Sequence, residues 1–338
     1  MTASRIDDKN AWDTFIDESP SGLLFHKWDY LHLTAKHTGS TLLLYAIHKG
    51  NEPVCAFPLF HRRVYGIDAI FSPPPLTVIP HLGCVMSRNF EGFKQSKKES
   101  TLQMVAEDIR EVIEDLSPNY LSIAFVPEFS DIRHYLWDHC SATIRYTYTI
   151  DLEQPLEAIW NSLHYKLRSK LKKEDRVGLR LERTNDTSVL HQLVTDRYQD
   201  PTLDIPPIKQ EYLKDLVAAY PDQIGVYHLY STEDEIVGAV AAQEYKRFLL
   251  WIGTPRIKSA HAGNEYLQWL LIQRAKAEGY PLFENMGANN RDLAFFKSRF
   301  NPDLVMYFEI EKKDALGAFS GWAYLTFVKR VLMATGRI

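Results

Sequence analysis

The sequence predicts a mixed α+β protein of two units in tandem, each a mostly antiparallel mixed sheet flanked by helices. Three observations carry this prediction. The chain has 338 residues, which fits two ordinary domains or one large one. Its 45% hydrophobic and 24% charged residues are those of a globular protein with ample material for a core. Helical and strand periodicities alternate through the first half, and the theme repeats in the second.

In the first half, residues 10–17 and 27–37 have helical spacing, with Trp12, Phe15 and Ile16 on one side of the former. Residues 41–48 and 53–63 read as strands about the turn Lys49-Gly50-Asn51, hence a hairpin. Phe71-Ser72-Pro73-Pro74-Pro75 cannot continue a strand, so the chain to Met86 is expected as loop or short extended pieces. Residues 99–116 place Leu102, Val105, Ile109, Val112, Ile113 and Leu116 at helical spacing. A buried strand at 120–126, a short helix at 131–140 and a long strand at 142–151 follow.

The second half opens with a basic helix at 165–176 and a strand at 179–183. Helices at 187–199 and 209–220 precede strands at 223–231, 236–245 and 248–253. A long helix at 263–279, a short strand at Leu282, a helix carrying Lys297 and a strand at 304–312 complete the order. The boundary between units is expected near residues 151–155. The first unit is thus 1–152 and the second 153–312, with 313–338 as a C-terminal amphipathic helix.

Composition narrows the function classes. A formal net charge of −4 argues against a protein that coats nucleic acid through its overall charge. Cys55, Cys84 and Cys140 are few, odd in number and far apart, matching neither a disulfide framework nor a zinc spacing. They read as reduced core thiols and point to the cytoplasm. The histidines show no metal-binding spacing, so no metal is expected. The N-terminus lacks the pattern of a secretory signal, and no apolar run is long enough to span a bilayer. Residues 315–338 are apolar and aromatic with Lys329, Arg330 and Arg337 near the end. Such a segment suits either a helix packed on the rest of the protein or a peripheral helix at the inner face of a membrane.

The most informative stretch is 282–300, LFENMGANNRDLAFFKSRF. A short apolar strand runs into Asn285-Met286-Gly287-Ala288-Asn289-Asn290, and a helix follows with Leu293, Phe295, Phe296 and Phe300 on its apolar side. Gly287 permits a tight strand-to-helix turn. Asn289 or Asn290 is a natural N-cap. The free donors of this helix start suit an anion or a developing negative charge, and Lys297 can reach the same region. The plainer reading is a connecting loop and a lysine that snorkels from an apolar helix.

This stretch resembles the C-terminal signature of the Fem-type aminoacyltransferases, relatives of the GNAT acyltransferases that build peptide cross-bridges in bacterial cell walls. Tyr148-Thr149-Ile150-Asp151-Leu152, then Trp160, Leu163 and a basic helix ending at Gly178, resembles the start of that family's second domain. The resemblance covers about residues 145–310. It implies two tandem GNAT-like domains and an aminoacyl-tRNA as acyl donor. It also implies that the basic helix lies near substrate and that Arg197 and Tyr198 help to hold the acceptor's phosphate. An arginine suits that role through its planar fork, although a surface ion pair with Asp196 or Asp200 is an equal reading.

Two further features bear on donor and acceptor. GNAT enzymes that use coenzyme A cradle its pyrophosphate on a glycine-bearing helix start. Here the equivalent run, Ser259-Ala260-His261-Ala262-Gly263-Asn264-Glu265, has one glycine and an acid where a phosphate would be repelled. In the basic helix, Leu163, Leu167 and Leu171 form the buried stripe, which turns Lys166, Arg168, Lys170, Lys172 and Lys173 to other faces. These cations suit phosphates of tRNA or of a nucleotide- or lipid-linked sugar-peptide, or else a solvated helix face. Tyr245 and Trp251 end adjacent strands and are candidates for pocket lining.

The expectation is therefore a cytoplasmic acyltransferase that moves an aminoacyl or acyl group onto an amine of a cell-envelope precursor, with no cofactor required. Lys297 and Asn289 are the catalytic candidates, with Lys297 or the N–H groups near Asn289 stabilising the oxyanion. Lys166, Arg168, Lys170, Arg197, Tyr198, Tyr245, Trp251, Asn285, Gly287 and Asn290 are the substrate-binding candidates. Glu284, Asp292 and Glu265 stand as alternative proton acceptors. The alternatives are an acyltransferase using coenzyme A or carrier thioesters in polysaccharide synthesis, and a non-catalytic module bound to a membrane or RNA.

Overall fold

The structure, a computed structural model, describes residues 1–64, 66–198, 208–253, 257 and 261–318. The chain divides into two compact units, Met1–Arg145 with the chain from Tyr307 onward, and Tyr146–Met306.

The first unit contains β1 (Thr2–Arg5), α1 (Lys9–Glu18), α2 (Trp28–Thr38), β2 (Thr41–Lys49), β3 (Glu52–Val64), β4 (Ile67–Ser72), β5 (Val85–Met86), α3 (Gln95–Leu116), β6 (Tyr120–Ala124), α4 (Arg133–Trp137) and the start of β7 (Ser141–Asp151). The expected hairpin is β2 and β3, paired from Thr41↔His61 to Lys49↔Glu52. Strand order runs β1-β2-β3-β4-β6, with β5 beside β3. Trp12, Phe25, Tyr30, Phe57, Phe60 and Phe125 fill its interior. Trp12 Nε1–H finds its acceptor in the His26 carbonyl at 2.6 Å, as a buried indole requires.

Two elements here depart from the sequence reading, while a third is one of the short extended pieces it expected. Thr2–Arg5 is a strand on the edge of β2, too short and too exposed to show an alternation. Val85–Met86 is the expected short extended piece, paired with Cys55 and Ala56 of β3 over two residues. Phe71 and Ser72 belong to β4, which runs parallel to β6, and the prolines end this strand rather than exclude it.

The second unit holds the rest of β7, then α5 (Leu156–Ser162), α6 (Tyr165–Glu174), β8 (Arg180–Thr184), α7 (Ser188–Tyr198), α8 (Gln210–Ala219), β9 (Ile224–Tyr230), β10 (Ile236–Glu244), β11 (Phe248–Gly253), α9 (Gly263–Ala277), β12 (Leu282–Asn285), α10 (Arg291–Ser298) and the start of β13 (Asp303–Lys313). Strand order is β7-β12-β11-β10-β9-β8, antiparallel except for β11 and β12. The units are not the consecutive blocks 1–152 and 153–312. The far end of β13 pairs with β6, Glu309↔Ala124 through Lys313↔Tyr120, which gives residues 307–312 to the first unit.

One face of the second sheet carries the apolar core. Leu163, Leu167 and Leu171 are buried as the spacing predicts, against Ile150, Phe248, Phe283, Leu267, Trp269 and Phe300. Phe248 and Phe283 stack with ring centroids 5.5 Å apart. This places α5, α6, α9 and α10 on the face shared by Ile150, Phe248 and Phe283. The expected C-terminal helix lies outside the described residues beyond position 318. Among the described residues, no helix is long and apolar enough to cross a membrane.

Candidate functional site

The loop between β12 and α10 is built as its sequence suggests. Gly287 has φ of +90°, a conformation that side-chain-bearing residues rarely adopt. A Cβ there would stand 3.4 Å from Lys297 Nζ, so the lysine lies against the loop backbone. Lys297 is buried, and its ammonium donates to the Met286 carbonyl. It does not snorkel to solvent.

The three asparagines take separate tasks. Asn290 is the N-cap of α10, its Oδ1 accepting from the N–H groups of Asp292 at 3.0 Å and Leu293 at 3.1 Å. The helix start therefore offers fewer free donors than the sequence reading assumed, because the cap has used two of them. Asn289 grips the backbone of Tyr146 with both ends of its carboxamide, accepting at 2.8 Å and donating at 3.2 Å. Those bonds pin the loop to β7. Asn285, the last residue of β12, is 1% exposed, and its buried Oδ1 has no hydrogen-bond partner among the described residues.

Of the three carboxylates near the site, two are held by cations. Glu284 is fully buried, with Oε1 accepting from Thr147 Oγ1 at 3.0 Å and Oε2 from Arg247 Nη1 at 3.1 Å. Glu265 accepts from Lys170 Nζ at 3.1 Å and Arg299 Nη2 at 3.3 Å. Burial works to raise the Glu265 carboxyl, but the hydrogen bond and charge of Lys170, with Arg299 beside it, outweigh that and hold it below its ordinary value. Asp292, in the first turn of α10, stays exposed on a cleft of about 540 Å³ with Tyr148, Arg291, Ala294, Phe295 and Ser298.

At the start of α9 the free backbone donors meet protein carboxylates. Glu174 Oε1 accepts from the Ala262 N–H at 3.0 Å, and Oε2 lies 3.0 Å from His261 Nδ1. Glu174 is 4% exposed, and Glu265 follows within the first turn of the helix. Gly263 is required for packing, since a Cβ there would run into the Val237 carbonyl. Two buried carboxylates thus occupy the helix end where a phosphate-binding start would leave room for an anion.

On α6, Lys166, Arg168, Lys172, Lys173 and Arg176 make no ion pair among the described residues, while Lys170 is committed to Glu265. Lys172 also lines a cavity of about 390 Å³ with Trp160, Tyr266 and Trp269. Arg197 and Tyr198 close α7, and their side chains lie outside the described residues. Trp251 is 4% exposed within β11, and Tyr245 sits in the turn after β10, so neither ring lines the cleft beside α10.

Sequence reasoning missed Arg247, Thr147 and Glu174. Arg247 lies 37 residues from Glu284, and only the parallel pairing of β11 with β12 brings them together. Glu174 did leave a signal, as an acid three residues after Leu171 on an otherwise apolar stripe.

Residues 161–298 match the acetyltransferase (GNAT) domain family, which places an acyltransferase-type domain on the second unit. No curated protein matches the chain by sequence. The fold is that of FemX, with a TM-score of 0.70 at 12% identity over 95% of this chain and 99% of that one. A C-terminal domain described as that of a lysylphosphatidylglycerol synthetase from Agrobacterium fabrum is similar, with a TM-score of 0.57 at 13% identity over 94% and 96% of the two chains. L-PGS from Bacillus licheniformis gives a TM-score of 0.54 at 13% identity over 91% and 92%. The chain therefore has the Fem-type, GNAT-like fold.

Proposed function

We propose that the protein is an aminoacyltransferase that moves an aminoacyl group from aminoacyl-tRNA to an amine of a phosphate-bearing cell-envelope precursor. The observation that carries this reading is the start of α9. An acyl-CoA enzyme needs that helix end for pyrophosphate, and here Glu174 accepts its Ala262 N–H with Glu265 buried in the first turn. Bringing a pyrophosphate there would set like charges together in a low-dielectric site. The GNAT-family match and the fold shared with FemX support acyl transfer by another donor.

In the proposed reaction the acceptor amine attacks the ester carbonyl of the donor, and a tetrahedral oxyanion forms. The ester C–O bond then breaks, leaving the new amide and a ribose hydroxyl that takes up a proton. Lys297 stands at the β12–α10 loop as the cation for the oxyanion, in a buried place where such a charge acts most strongly. Glu284 and Glu265 are set aside as proton acceptors, because each is engaged by cationic partners. The cations of α6 that have no acidic partner among the described residues suit the phosphates of donor and acceptor.

Calorimetric titration with acetyl-CoA and with coenzyme A is expected to give no heat. Incubation with alanyl-tRNA and an amine-bearing sugar-peptide is expected to give a new amide. Micromolar binding of coenzyme A would overturn the reading and return the protein to the thioester-dependent group.

A further inference from the structure

Asn285 is an anomaly on physical grounds. A carboxamide carries two donors and an acceptor, and burying one without partners forfeits its hydrogen bonds to water with nothing in return. Asn285 is 1% exposed, its Oδ1 meets no donor, and its side chain makes no hydrogen bond among the described residues. Asn289 uses both ends of its carboxamide on the backbone, and Asn290 uses its oxygen on two backbone N–H groups. A polar group kept at such a cost, at the end of a strand, awaits a partner that the described residues do not supply.

Its surroundings identify that partner. Asn285 lies directly opposite Tyr148 across the β12–β7 ladder and beside Leu250 of β11. Opposed residues on an antiparallel pair share a face. Asn285 therefore lies on the face of Tyr148, which lines the cleft beside α10. That same face carries Phe283, onto whose cluster Phe296 and Phe300 pack, so α10 covers it. The next carbonyl along the chain, that of Met286, receives the Lys297 ammonium. A buried carboxamide at Asn285 and a buried ammonium held on the carbonyl of the next residue thus flank the same strand end.

We propose that Asn285 is a catalytic residue that donates its Nδ2–H to the carbonyl oxygen of the transferred acyl group, making a two-donor oxyanion site with Lys297. The assignment rests on the acyl-transfer reading but not on which donor brings the acyl group. As the amine attacks, the carbonyl π electrons move to oxygen. The Asn285 N–H and the Lys297 ammonium stabilise that charge until the leaving oxygen departs.

The test uses the full-length protein with Asn285→Leu and Asn285→Ser. Since no hydrogen bond is broken, Asn285→Leu should keep or raise the melting temperature. Its kcat for transfer from alanyl-tRNA should fall by about 10²–10³ with KM nearly unchanged. Asn285→Ser, which retains a donor, should recover part of the rate. A second measurement is independent of the donor. In the wild type, 1-aminoethylphosphonate, a tetrahedral oxyanion mimic, should shift the side-chain ¹⁵NH₂ signal that Asn285→Leu removes, and its Kd should weaken at least about tenfold in that variant. Unchanged phosphonate affinity in Asn285→Leu overturns the proposal, as does a melting temperature that falls in step with activity in both variants. A wild type that fails to transfer from alanyl-tRNA would refute the donor reading alone, and the phosphonate titration would still decide the role of Asn285.

Discussion

Replacing Arg247 by methionine should be among the most damaging single changes in the second unit. Its Nη1 stands 3.1 Å from Glu284 Oε2, with the two side chains 10% and 0% exposed, so solvent screens the pair little. Opposite unit charges at that separation attract by about 5 kcal/mol at an effective dielectric of about 20. Desolvation offsets much of this in the intact pair, and the asymmetry appears when one partner goes. Losing the cation while the carboxylate stays buried costs about 3–5 kcal/mol. The methionine fills most of the space, which leaves charge as the main loss. Amide exchange at Phe283 and Glu284 of β12 should therefore speed up by about two to four orders of magnitude, at about 1.4 kcal/mol per decade. The double variant Arg247→Met with Glu284→Gln should regain at least half of the loss, because no unmatched charge remains. A single-variant cost below about 1 kcal/mol would refute the argument, since it would mean that the pair behaves like an exposed one.

Three further outcomes are expected. Lys297→Met should keep the fold by circular dichroism and reduce kcat by about 10²–10³ with little change in KM, whereas unchanged kcat would remove Lys297 from the chemistry. Asn290→Ala should destabilise the protein by about 1 kcal/mol in urea denaturation, the usual cost of losing an N-cap, and an unaffected midpoint would contradict the capping geometry. The Glu265 carboxyl is held below its ordinary value of 4.5, so its contribution to stability is complete above that value and is lost as pH falls through the lower folded-state value. Lys170→Met should shrink this acid-side loss, and an acid-unfolding profile identical to the wild type would count against the pairing.

What could be read from the sequence followed from periodicity and local chemistry. The Leu163, Leu167 and Leu171 stripe, the N-cap at Asn289 or Asn290 and the Gly287 turn each depend on residues within a few positions; the stripe and the turn stand where the sequence placed them, and of the two cap candidates it is Asn290 that caps. The edge strand β1 was invisible, because four largely exposed residues carry no alternation and pairing with β2 alone makes them a strand. The return of β13 to the first unit was invisible for the same kind of reason, since its partner β6 lies nearly 190 residues away, as in the Ser122–Glu309 hydrogen bond at |i−j| of 187. Arg247 and Glu284 likewise became partners only once β11 and β12 were paired.

The same distinction separates the two polar features that matter most for function. Glu174 and Asn285 are both buried polar residues at element ends, at 4% and 1% exposure. Glu174 is satisfied, with the Ala262 N–H at one oxygen and His261 at the other, so its burial is explained by capping α9. Asn285 is not satisfied among the described residues, although it lies on a strand whose preceding residue has Thr147 and Arg247 as partners. Folding could relieve its cost at no loss by placing an apolar residue there, because no backbone group depends on it. The retained carboxamide is therefore better accounted for by a group that arrives during the reaction than by the fold itself. The stability of Asn285→Leu is the quantity that separates the two accounts: if the leucine variant unfolds more easily than the wild type, the asparagine serves the fold after all.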